Sequence, residues 1–112
     1  MVTESKHWKE KYEKEYPKVI LSLLIALCTY YNIPSTRLLA ESPYHKHIIL
    51  YLIATSLRIG YEYVGKIMGI RGGSAYAYKR VERMIKQYPE FSLHIDKMLQ
   101  LIEQYNDKKK AN

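Results

Sequence analysis

The chain has 112 residues, of which 47% are hydrophobic and 26% charged, with a single cysteine and a formal charge of +7. One domain is the default at this length. The apolar content can build a modest core, which excludes a disordered chain and a disulfide-stapled scaffold. Lys and Arg outnumber Asp and Glu by 18 to 11, and such an excess favours a polyanionic partner, nucleic acid foremost.

Residues 1–16 read as a charged N-terminal helix or arm. Trp8, Tyr12 and Tyr16 recur at four-residue spacing, so a helix there would carry one aromatic stripe, and Glu10 pairs with Lys14 across a turn. The segment is charged throughout and lacks a secretory-signal pattern. Cys28 sits in the apolar run VILSLLIALC and reads as a buried, reduced thiol. That run is far shorter than the roughly 20 residues of a bilayer span. The expectation is a cytoplasmic protein with no membrane partner.

A helix-turn-helix domain is expected over residues 17–106. Pro17 suits the first turn of a helix, and Val19, Ile20, Leu23, Leu24, Leu27 and Tyr31 follow on one face. Leu21 and Ile25 lie elsewhere on it, so this helix reads as central or covered by a partner. Pro34 and Ser35 open a short helix through Leu39. His45 to Leu57 predicts a further helix with Ile49, Leu52, Ile53 and Leu57 facing inward, broken at Gly60. Tyr61 to Met68 carries Val64, Ile67 and Met68 at helical spacing and stops at Gly69. A basic helix then runs from about Ser74 to Tyr88, and Pro89 opens a last one with Phe91, Ile95, Met98, Leu99 and Ile102 as its apolar stripe. Residues 107–112 read as a flexible tail. No stretch alternates like a strand, so the class is all-α, with about six helices.

Two helices joined by a short glycine-containing turn are the core of a helix-turn-helix. Gly65 would let the second helix approach closely, and Gly69 can take the positive φ the turn needs. The second helix carries Lys79, Arg80, Arg83 and Lys86. The major groove is wide enough to admit such a helix.

These segments resemble a known family. LCTYYNIPSTRLLAES, HKHIILYLIATSLRIGYEYVGKIMGIR and AYKRVERMIKQYPEF are similar, in order and spacing, to the C-terminal DNA-binding domain of the bacterial chromosomal replication initiator DnaA, a Trp-repressor-like helix-turn-helix. The resemblance covers about Pro17 to Ile102. It implies a stand-alone DNA-binding domain, since the chain carries no Gly-rich phosphate loop of an ATPase. The function so implied is a double-stranded DNA-binding regulator of transcription or replication, of phage or mobile-element type, with a major-groove recognition helix at 72–88.

The family opens that helix with Gly-Gly-Arg-Asp-His-Ser/Thr-Thr-Val. Here Gly69-Ile70-Arg71 is followed by Gly72-Gly73-Ser74-Ala75-Tyr76. Alignment from the left sets Gly72 and Gly73 at the Asp and His positions. Alignment from YAYKRVE on the right shortens the turn by two residues. Both remove the Asp-His pair, so the family's target box does not carry over. The resemblance does carry over to Arg71 as the motif arginine, able to pair with guanine, and to Lys46 at the position of a minor-groove arginine. Ser74 would bond phosphate at the helix N-terminus. Lys66, Lys79, Arg80 and Arg83 would meet phosphates, which position without specifying. Tyr76 and Tyr78 serve either as core residues or as base-stacking groups.

His45 and His47, two apart on a helix, face different ways, and the lone cysteine is distant, so no metal site, cofactor or enzyme activity is expected. The many tyrosines, among them Tyr12, Tyr16, Tyr61, Tyr63 and Tyr105, either cap the core or line an interface. The alternative function is therefore a protein-interaction or homodimerising adaptor that keeps the scaffold without reading DNA.

Overall fold

A computed structural model describes residues 16–111. These residues form six helices and no strand: α1 (Tyr16–Tyr30), α2 (Thr36–Leu39), α3 (Pro43–Leu57), α4 (Tyr61–Ile67), α5 (Ser74–Gln87) and α6 (Pro89–Ala111). The expected all-α class is what the chain adopts. The aromatic stripe of Trp8 and Tyr12 lies outside the described residues.

The hub is α3. Ile48, Ile49, Leu50, Leu52, Ile53 and Ala54 are all buried, so nearly its whole circumference is covered. Every other helix packs against it. Burying a side chain of this size stabilises the fold by about 1.5–3 kcal/mol. The central role that the broad apolar girth suggested for α1 thus belongs to α3. On α1, Ile20, Leu23, Leu24, Leu27 and Cys28 are buried, while Leu21 is 45% and Ile25 60% exposed. The two sequences are similarly apolar, and only position in the bundle separates them. On α6 the expected stripe is in place, with Phe91, Ile95, Met98 and Ile102 buried and Leu99 partly so.

The helix ends are set by backbone chemistry. After α1, Asn32 takes φ 59°, and the Ile33 N–H donates to the Cys28 carbonyl at 2.8 Å. After α3, Arg58 takes φ 56°, and the Ile59 N–H reaches the Ala54 carbonyl at 3.0 Å. Both are left-handed C-terminal caps with the six-to-one bond that recovers an orphan carbonyl. The break after α3 therefore falls at Arg58, two residues before Gly60, which instead precedes α4. Tyr88 is extended, as a residue ahead of proline must be, and this ends α5 before Pro89 begins α6. The last helix runs on to Ala111, through most of the stretch expected as a tail.

Among the described residues, no helix is long and apolar enough to cross a membrane.

Candidate nucleic-acid interface

Short-range backbone bonds place α5. Helix α4 ends at a glycine cap: Gly69 has φ 81°, its N–H donates to the Lys66 carbonyl at 3.2 Å, and the Ile70 N–H donates to the Gly65 carbonyl at 2.8 Å. This is the paired bonding of a Schellman motif. Gly72 and Gly73 follow at φ 74° and 76°. An α-helix needs negative φ, so α5 begins at Ser74, as its pattern predicts, leaving residues 72 and 73 of the expected recognition segment in the turn, and it ends at Gln87, one residue before the expected Tyr88. Neither glycine supplies a side chain where the resemblance calls for Asp and His.

Helix α4 runs close against α5 at Gly65. A Cβ built there would overlap the Ser74 hydroxyl and lie 3.2 Å from Ser74 Cβ. Ser74 is only 7% exposed. Its side chain packs close to Gly65, which leaves little of it open to the phosphate it was expected to meet. Tyr78, half-buried, locks the next turn of α5 to the body. Its ring lies 4.9 Å from that of Tyr51 on α3 and 5.2 Å from that of Tyr61 on α4, centroid to centroid. Burial pushes the Tyr51 hydroxyl above its ordinary range, keeping it neutral.

The outward side of α5 is a single row. Tyr76, Lys79, Arg83 and Lys86, with Glu82 among them, line one shallow groove. Tyr76 is 60% exposed, and Lys79, Arg83 and Lys86 are exposed as well. Their spacing of three and four residues puts them on one face. Helix α5 holds four basic residues against one acid, whereas on α6 Glu90, Asp96, Glu103 and Asp107 are matched by four lysines.

Arg80 stands apart from this row. Half-buried, its Nη1 donates to Nδ1 of His47 on α3 at 3.2 Å. A guanidinium has no acceptor, so Nδ1 is unprotonated and the imidazole proton sits on Nε2. Burial, with Arg80 and Lys46 beside it, holds His47 below its ordinary pKa of 6.5. The His47 ring also meets Tyr76 edge-on, at 6.0 Å and 83°. One histidine thus joins α3 to two residues of the candidate face. His47 was not legible as a site residue, because the contact spans 33 positions and nothing local marks it.

Arg71 is exposed in the turn ahead of α5, and Lys66 is exposed in the last turn of α4. Lys46 is half-buried in the first turn of α3, beside His47. Of the predicted residues, Tyr76, Lys79 and Arg83 come together in one groove, and Arg80 joins them through His47. Ser74 is buried, while Arg71 lies in the turn ahead of the helix, Lys66 on α4 and Lys46 on α3. The other tyrosines named from sequence, Tyr16, Tyr61, Tyr63 and Tyr105, pack partly buried against the core.

No family model, curated protein or solved structure matches this chain. The chemistry of the site must come from its own side chains. Its exposed cations and one aromatic ring offer hydrogen-bond donors and a π-face to a polyanion. Cys28 is buried, and that burial pushes its thiol upward.

Proposed function

We propose that this protein binds duplex DNA through α5 and acts as a small regulator of transcription or replication, in the manner its resemblance to the DnaA C-terminal domain implies. The observation that carries the reading is the exposed row Tyr76, Lys79, Arg83 and Lys86 on a helix held out by a tight glycine turn. Cations on the outward face of such a helix neutralise phosphates, while the helix itself fits the major groove. Arg71, exposed in the turn ahead of α5, and Lys46 on α3 add to the positive charge.

Fluorescence anisotropy with labelled random-sequence duplex, titrated at several salt concentrations, tests this. Log affinity should fall linearly with log salt, and Lys79→Ala and Arg83→Ala should each make that slope shallower by about 0.9. Absence of binding at low salt would end the reading.

A second reading, as an adaptor or homodimer, is favoured by an apolar trough between α1 and α6. Leu23, Ala26, Leu27, Tyr30, Met98, Leu101, Ile102 and Tyr105 line it, next to exposed Ile25. A mass that rises with concentration in sedimentation, together with absent DNA binding, would select it.

A further inference from the structure

We infer that Tyr76 is a specificity-determining residue of α5, and that it reads the C5-methyl group of thymine in the major groove. The inference rests on the DNA-binding reading above and adds what that surface recognises.

The start of a recognition helix is the part that reaches base edges. Here that start is almost bare. Gly72 and Gly73 have no side chain, Ser74 is 7% and Ala77 1% exposed, and Ala75 is a half-buried methyl. Tyr76 is the one large side chain in the first turn, and it is 60% exposed. Arg80, one turn later, is engaged by His47. The same histidine meets the Tyr76 ring edge-on at 6.0 Å, a contact on one side of the ring that leaves most of it exposed. Lys79 and Arg83 lie in the groove beside it, placed to hold the flanking phosphates.

The chemistry of the ring then selects the mark it reads. Guanine and adenine are read by paired donors and acceptors on Arg, Asn or Gln; the first turn of α5 holds none of these, and Arg71, exposed ahead of it, would pair with guanine beside the thymine that Tyr76 reads. Thymine offers the one apolar group on the major-groove edge of unmodified DNA, its C5-methyl. An aromatic face excludes water from that methyl and is stabilised by doing so.

The full-length protein is used to enrich binding sequences from a random duplex pool, in parallel with Tyr76→Ala and Tyr76→Phe. Because the side chain is exposed, both variants should keep the helical signal. Wild type and Tyr76→Phe should enrich a motif with thymine at one or two fixed positions, and Tyr76→Ala should lose the preference there. Replacing that thymine by deoxyuridine, which lacks only the methyl, should weaken wild-type binding about three- to fivefold and leave Tyr76→Ala unaffected. Salt-sensitive binding without an enriched motif, the same motif from Tyr76→Ala, or no effect of deoxyuridine would overturn the inference while leaving DNA binding intact. No binding to any duplex would overturn both.

Discussion

Replacing Gly65 by alanine tests how α5 is positioned. In an open helix interior the change stabilises by about 1 kcal/mol. At Gly65 the new methyl would overlap the Ser74 hydroxyl and sit 3.2 Å from Ser74 Cβ. The hydroxyl can rotate away, but the Cβ is fixed to the backbone of α5, so the helix itself must shift. Overpacking of this kind costs about 1–3 kcal/mol. With Val64, Ala77 and Val81 fully buried around the junction, the upper part of that range applies. The net expectation is a loss of about 1–2 kcal/mol, or about 5–15 °C in Tm for a domain of this size. Thermal and urea denaturation followed by circular dichroism measure it. The Ser74→Gly background removes both clashing atoms, and there Gly65→Ala should become neutral or stabilising. An unchanged or raised Tm for Gly65→Ala in the wild-type background would refute the close approach. So would an equal loss in both backgrounds.

Arg58 holds a left-handed conformation at the end of α3, and Arg58→Gly should raise stability by about 1 kcal/mol in urea titration. Gly72→Ala and Gly73→Ala place a Cβ in open space but at positive φ, so each should lower stability by about 1 kcal/mol through backbone strain alone. His47 and His94 both lie below their ordinary pKa of 6.5, each chiefly through burial. The unfolded chain therefore takes up protons at higher pH than the fold does, and stability should be full above about pH 7 and fall as pH drops through 6.5 toward the folded pKa values. Denaturation midpoints across pH 5 to 8 measure this, and a flat profile would count against it. Arg80→Ala removes a neighbouring positive charge and should raise the His47 pKa in an NMR titration; an unchanged value would show that Arg80 does not act on it.

The helices were legible because each carries its own local code. The apolar spacing of α6, Pro89 at its start and Gly69 at the end of α4 act within one or two turns of chain. Helix α4 and the stretch from Ser74 fell where propensity and caps put them, and Gly65 was recognisable as a point of close approach. The ends read least well where a less usual residue took the special conformation. Arg58 rather than Gly60 ends α3, because the six-to-one bond from Ile59 stabilises a left-handed residue that sequence statistics assign to glycine.

The sequence by itself determined the all-α class, the glycine turn ahead of a basic helix, and the charges on that helix. Tertiary structure alone decided their use. Sequence makes α1 and α3 look alike as apolar helices, and only packing makes α3 the hub and leaves Leu21 and Ile25 outside. Ser74, Tyr76 and Arg80 sit within one short stretch, yet one is buried against Gly65, one stands exposed, and one is bound to His47. The physical reason is that a helix pattern fixes which residues share a face, whereas burial depends on what stands opposite that face. At His47 the partner comes from 33 residues away, beyond the reach of any local pattern.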